Sequence, residues 1–181
     1  MSDTFSHRPE ILTVRDMSFI ALFSALMAVC SWITIPTIVP FTLQTFAVFC
    51  ALFTLGGKKG LFSVLVYIFL GLVGLPVFSG FKGGITALLS YSGGYITGFI
   101  FLALVFLTAE KLLGEKLCIK IISMLVGVAV MYAFGTMWFM YITKSDLKYS
   151  LGACVVPFIP FDLAKMALAF LISGRVKKFV R

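Results

Sequence analysis

Two charged residues sit inside sequence that is otherwise apolar. Asp162 and Lys165 belong to the segment Pro157-Phe158-Ile159-Pro160-Phe161-Asp162-Leu163-Ala164-Lys165, which runs on into a hydrophobic stretch. Three residues apart on a helix, their side chains share one face. A lone charge within a membrane span costs roughly 3 kcal/mol, so a pair retained there points first to a functional site. The chemistry open to it is that of a clamp. The ammonium attracts a carboxylate, and the carboxylate accepts hydrogen bonds from ligand N–H groups. A small organic acid bearing an amide or urea would use both. Buried polar groups need partners, so such a site favours the right ligand and rejects an analogue lacking a group. A structural alternative stands beside it. Asp162 falls near the third position of its helix, where the dipole favours an anion, and it could pair with Lys165 for stability alone.

The elements that must position this pair are membrane helices. Of 181 residues, 61% are hydrophobic and 12% charged, against about 25% charged in soluble domains. The expected class is an all-α membrane protein, with a polar tail over residues 1–16 and one transmembrane domain over 17–181. The apolar runs are too numerous and too long for a cleaved signal peptide. Six helices are expected. The first spans 17–35 and stops at Pro36 and Pro40. The second covers 42–55, ahead of Gly56-Gly57-Lys58-Lys59-Gly60. The others cover 61–75, 94–113, 117–142 and a last one from Pro160, a good first helical position, fading at Ser173-Gly174.

Positive charge orients this arrangement. With six spans, Arg8, Arg15, Lys58, Lys59, Lys111, Lys116, Lys120, Arg175, Lys177, Lys178 and Arg181 share one side, while Lys82, Lys144 and Lys148 lie on the other. Both termini are then cytoplasmic, and the net charge of +8 reflects topology rather than nucleic-acid binding. Asp162 and Lys165 fall in the outer half of the last helix, Lys165 roughly 7 Å along the axis from Pro160.

Other residues extend the candidate site. Gly83-Gly84 and Gly93-Gly94 flank a loop that includes Tyr91 and precedes Tyr95. Glycines let backbone approach a ligand closely, although an ordinary exposed turn would also use them. Gln44 is a further polar group on the outer side. Trp32 and Trp138 belong near the outer ends, as an interfacial belt or as cavity lining. On the first helix Ala21, Ser24, Ala25 and Ala28 form a narrow small-residue stripe, suited either to a partner or to internal packing.

Several classes are excluded. No GxxxxGK[ST] phosphate loop is present, so the chain is no ATPase by itself. His7, the single histidine, lies in the polar tail, which excludes a Ser/His/Asp triad or a histidine metal cluster within the membrane. Cys30, Cys50, Cys118 and Cys154 have no CxxC spacing and read as small hydrophobes. No cofactor is expected. The helices lack the recurring polar residues of a pore and the repeats of a secondary transporter. An intramembrane enzyme using Asp162 and Lys165 as acid and base is a remaining alternative.

The chain resembles the BioY family, the biotin-specific substrate-binding (S) components of energy-coupling-factor (ECF) vitamin transporters. Four segments carry the resemblance: Val39-Pro40-Phe41-Thr42-Leu43-Gln44-Thr45, Gly71-Leu72-Val73-Gly74-Leu75-Pro76-Val77-Phe78, Gly93-Gly94-Tyr95-Ile96-Thr97-Gly98-Phe99, and the Pro157–Lys165 segment. It departs from the common pattern after Val77-Phe78. The resemblance implies six transmembrane helices, an outward-facing biotin site at Asp162 and Lys165, and Gly93, Gly94 and Tyr95 in the family's Gly-Gly-Tyr segment. It also implies partners: a transmembrane coupling (T) subunit docked on Ala21 and Ala25, and two cytoplasmic ABC-type ATPases. An S component for another water-soluble vitamin would keep the same fold and partners.

Overall fold

The computed structural model describes residues 12–180; His7, Arg8 and Arg181 lie outside them. Helix α1 (Val14–Trp32) opens with a capping box, in which Thr13 Oγ1 accepts from the Asp16 N–H and Asp16 Oδ2 from the Thr13 N–H, both at 3.2 Å. After Trp32 the chain makes a short antiparallel ribbon, β1 (Thr34–Ile35) with β2 (Phe41–Thr42), pairing Thr34 with Thr42. The first helix, expected to reach residue 35, therefore ends at Trp32, and the second, expected from residue 42, begins at Gln44.

Helix α2 (Gln44–Leu72) carries 29 residues, but Gly56 within it is not helical, at φ 81 and ψ 175. That conformation is open essentially to glycine alone. The chain folds back there. In a straight helix Gln44 and Tyr67 would stand about 35 Å apart, whereas Gln44 Nε2 donates to Tyr67 Oη at 2.8 Å. A Cβ placed on Gly60 would come within 3.1 Å of Leu52 Cα. Residues 44–55 and 57–72 are therefore two antiparallel arms. The expected loop over 56–60 shrinks to Gly56, because Gly57 and Gly60 are helical and use their missing side chains to pack closely. Gly57 lies against Leu107 and Gly60 against Leu52.

Short helix α3 (Ile85–Leu88) leads into α4 (Gly93–Leu113) and α5 (Leu117–Thr143). These last two pack through small residues on both sides: Gly98 on Met131, Gly127 on Leu102, Gly135 on Tyr95 and Gly94 on Trp138. Helix α6 (Leu147–Cys154) precedes α7 (Ile159–Val180), bent from it by 42°. α7 does not fade at Ser173-Gly174. Ser173 is buried and donates to the Phe170 carbonyl at 2.8 Å, and Arg15 Nη2 donates to the Phe179 carbonyl at 2.7 Å, tying the end of α7 to α1. α3 and α6 were not foreseen.

Among the described residues the fold is all-α apart from the β1–β2 ribbon and an isolated bridge between Phe78 and Lys82. α1, α2, α4 and α5 are each long and apolar enough to cross a membrane, and the bent α6–α7 pair meets the same test together. The core runs from Met27 and Phe49 through Tyr67 and Phe78 to Leu102 and Met124. One end of the bundle gathers the starts of α2, α4 and α7. The opposite end gathers the Gly56 turn, the end of α4, the start of α5 and the end of α7.

Candidate functional site

Asp162 sits in the first turn of α7, its N–H donating to the Phe158 carbonyl at 2.9 Å, and Lys165 lies one turn on. Both are buried, 4% and 8% exposed, and Lys165 Nζ lies 2.9 Å from Asp162 Oδ1. Each is held by further partners. Lys165 Nζ donates to the Thr42 carbonyl at 2.7 Å and to Thr45 Oγ1 at 3.0 Å. It also stands 4.1 Å from the centroid of the Phe41 ring. Thr45 Oγ1 in turn donates to Asp162 Oδ1 at 2.9 Å, and Tyr132 Oη donates to Asp162 Oδ2 at 2.5 Å. Three elements thus close on one ion pair: the β2–α2 junction, α5 and α7.

A cavity opens beside this network. Its non-atom space, including the open mouth, totals about 580 Å³. Asp162, Lys165, Thr45 and Gln44 form its polar wall. Tyr95, Phe99, Tyr132 and Phe158 supply aromatic surface, and Val39 and Pro40 of the ribbon loop cover it. The positive ends of α2, α4 and α7 meet at this end of the bundle, which favours an anionic ligand group.

Not every expected residue reaches the wall. Gln44 does, with Nε2 bonded to Tyr67, whose hydroxyl donates to the Val77 carbonyl at 3.0 Å. Tyr95 does, its hydroxyl 3.2 Å from Thr136 Oγ1. Tyr91 is exposed, lies edge-on to Phe139, and lines a smaller neighbouring cleft with Ser90 and Ser92. The glycines lie against protein. Gly83 abuts the Gly74 and Leu75 carbonyls, and the Gly84 N–H donates to the Gly71 carbonyl at 2.7 Å. Gly93 abuts the Leu88 carbonyl and Gly94 the Trp138 side chain. Trp138 Nε1 donates to the Ser90 carbonyl at 2.9 Å, and Trp32 Nε1 to the Pro76 carbonyl at 2.8 Å, so both tryptophans brace loops.

Sequence reasoning missed Tyr132 and Thr45. A phenol in the middle of an apolar helix is itself a signal, since a buried tyrosine hydroxyl finds a partner. On α1 the expected stripe divides: Ser24 and Ala28 are buried, whereas Ala21 and Ala25 are exposed.

The sequence profile of the BioY family matches residues 2–181. The chain belongs to the BioY family. It is 41% identical to the biotin transporter BioY of Thermotoga maritima over 167 residues, covering 91% of this chain and 97% of that one. It is 36% identical to the probable biotin transporter BioY of Pyrococcus horikoshii, covering 92% and 98%. A crystal structure of the S-component for biotin from an ECF-type ABC transporter superposes with a TM-score of 0.81 at 31% identity, covering 91% of this chain and 92% of that one. This BioY-family chain is a multi-pass membrane protein with the S-component fold.

Proposed function

We propose that the chain is a biotin-binding S component of an ECF-type importer in the prokaryotic plasma membrane, capturing biotin at the extracellular face for uptake powered by partner ATPases. The observation that carries this reading is the buried Asp162–Lys165 pair on the wall of an aromatic-lined cavity, in a fold shared with the S-component for biotin. Biotin matches the wall group by group. Its valerate carboxylate pairs with Lys165, its ureido N–H groups donate to Asp162 or to backbone carbonyls, and its fused rings pack on the aromatic side chains. The chain performs no chemistry on the ligand; its relatives are named as transporters.

In this reading Asp162, Lys165, Gln44 and Tyr95 contact or frame the ligand, joined by Thr45 and Tyr132. Gly83, Gly84, Tyr91, Gly93 and Gly94 shape the loops around the mouth. Six segments cross the membrane: α1, the two arms of α2, α4, α5 and α7. Both termini are cytoplasmic, residues 1–16 forming a tail and 17–181 the substrate-binding domain; α1 itself begins at Val14. The gathering of Lys58, Lys59, Lys111, Lys120 and Lys177 at the end away from Asp162 supports that orientation. The partners are a transmembrane T subunit, facing exposed Ala21 and Ala25, and two ABC-type ATPases.

The test is equilibrium binding of labelled biotin to the detergent-purified chain, beside Asp162→Asn and Lys165→Ala. Tight binding lost in both variants is expected, with Lys165→Ala weakening biotin far more than an uncharged biotin amide. Equal losses for acid and amide would remove the Lys165–carboxylate assignment. A folded wild-type chain that binds another vitamin in preference to biotin would overturn the reading.

A further inference from the structure

Gln44 is the first residue of α2 and sits on the wall of the Asp162 cavity, 4% exposed. Its side-chain amide is used on one side only. Nε2 donates to Tyr67 Oη at 2.8 Å, and Oε1 accepts no hydrogen bond from the protein. That oxygen is not sealed in the core either; among the described residues Glu110 Oε1 alone is both fully enclosed and without a hydrogen bond. A buried amide carbonyl without a partner is costly. The cavity is where this oxygen can find one.

The direction of the amide is set from behind. Tyr67 is fully buried on the second arm of α2, and the Phe78 ring stands edge-on to it at 5.6 Å between centroids. The Tyr67 hydroxyl carries a single hydrogen, which goes to the Val77 carbonyl at 3.0 Å. Only lone pairs then face Gln44, so the amide turns its NH2 group to Tyr67 and its carbonyl away. A reversed amide would set one oxygen against another unless Tyr67 gave up Val77. Ser31 Oγ also reaches the Val77 carbonyl, at 2.6 Å, but its one hydrogen is shared with the Ala28 carbonyl at 2.7 Å, so Val77 keeps its use for Tyr67.

Place on the wall narrows which ligand group meets this oxygen. Successive residues of a helix point about 100° apart. Thr45 is turned to α7, where it bonds Lys165 and Asp162, whereas Gln44 is turned to the second arm of α2. The free carbonyl is thus an acceptor set to one side of the ion pair. A carboxylate held at Lys165 leaves the far end of an extended ligand away from Asp162, and a ureido N–H at that end needs an acceptor of its own.

We propose that Gln44 Oε1 accepts a ureido N–H of the ligand, and that Tyr67, outside the cavity lining, is the positioning residue that fixes the amide for it. The inference rests on the biotin reading and adds to it the acceptor for the ureido end. A double-mutant cycle on the detergent-purified full chain tests it, with labelled biotin and Tyr67→Phe, Gln44→Met and the two together. Gln44→Met should weaken biotin about tenfold, the loss for a buried N–H left without its acceptor. Tyr67→Phe should weaken it about two- to fivefold, since an amide no longer held is competent in only part of the molecules. In the Gln44→Met background Tyr67→Phe should cost nothing further. A Tyr67 that only braced the Val77 loop would cost the same in both backgrounds, and that result would overturn the positioning role. Unaltered affinity in Gln44→Met would overturn the acceptor. If Tyr67→Phe does not fold, Gln44→Glu takes its place. A carboxylate offers the ligand an oxygen whichever way it faces, so biotin should be retained where Gln44→Met loses it, and equal loss in both would overturn the acceptor. A native chain that binds no biotin removes the reading and this inference with it; native binding with the losses in the wrong pattern removes this inference alone.

Discussion

Separating the two charges of the ion pair gives the sharpest test of what each contributes. Lys165→Met keeps most of the side-chain volume and removes the ammonium. Asp162 then loses its cation but keeps two hydroxyl donors, Thr45 on Oδ1 at 2.9 Å and Tyr132 on Oδ2 at 2.5 Å. Breaking a buried ion pair by deleting one partner costs about 3–5 kcal/mol. The two remaining donors place this site at the lower end, about 3 kcal/mol. For a chain of this size that corresponds to a fall of roughly 6–12 °C in melting temperature. Adding Asp162→Asn removes the stranded charge. The asparagine carbonyl still accepts from Thr45, and the Tyr132 hydroxyl turns to accept from the amide. The double variant should therefore regain about 2 kcal/mol, because a buried pair replaced on both sides is nearly neutral. Neither variant should bind biotin. Thermal unfolding in one detergent, with labelled-biotin binding in parallel, provides both readouts. A double variant as unstable as Lys165→Met would refute the argument that the stranded charge causes the loss. A double variant that binds biotin normally would refute the clamp.

Three further outcomes follow from particular contacts. Gly56→Ala places a Cβ at φ 81, ψ 175, next to the Glu110 carboxylate; it should lower stability by about 1–3 kcal/mol, read as a melting shift, and an unchanged midpoint would mean the α2 turn is relaxed elsewhere. Tyr132→Phe removes the donor to Asp162 Oδ2 and should lower stability by about 1.5–3 kcal/mol, the contribution of a hydrogen bond to a charged group, read as a melting shift; an unchanged midpoint would show that Asp162 is held without it. Gly94→Val drives a side chain into Trp138, whose indole braces the Ser90 carbonyl; it should cost about 1–3 kcal/mol by overpacking, and a stable variant with a normal near-ultraviolet spectrum would contradict that.

The parts legible in the sequence are those where a residue type conflicts with its surroundings. Asp162 and Lys165 stand out because charge is costly in apolar sequence, and Gln44 for the same reason in milder form. The long helices are legible because apolar length is a strong signal, and α4 and α5 begin within a residue of expectation. The glycines are not legible in this way. A glycine that lets backbone meet a ligand and one that lets backbone meet other protein look alike in sequence; in this structure Gly83 meets the backbone of the Gly74-Leu75 loop, Gly93 the end of α3 and Gly94 the Trp138 side chain of α5. Gly56 shows the converse difficulty. A run of glycines and lysines suggests a loop, yet only Gly56 leaves the helix, since Gly57 and Gly60 are needed for contact with α4 and the facing arm. α6 and α3, eight and four residues long, are too short to stand apart from loops.

The contacts around the ion pair also bear on how a ligand enters it. An ammonium has three donors, and those of Lys165 are directed at Thr42, Thr45 and Asp162. A ligand carboxylate that reaches Lys165 must therefore share or displace one of these acceptors. Thr45 is the partner most readily exchanged. Its hydroxyl accepts from Lys165 and donates to Asp162, whereas the Thr42 carbonyl is fixed in the backbone of β2. Asp162 differs, because a carboxylate offers about four acceptor positions and three are taken here, by Thr45, Lys165 and Tyr132. A ligand N–H can thus be accepted at Asp162 without displacing a partner, while a ligand carboxylate at Lys165 must compete. An N–H group at Asp162 would then be held by addition and a carboxylate at Lys165 by exchange; because the two side chains are 2.9 Å apart, an extended ligand presents one end to the pair, and Thr45 is the group that yields when that end is the carboxylate.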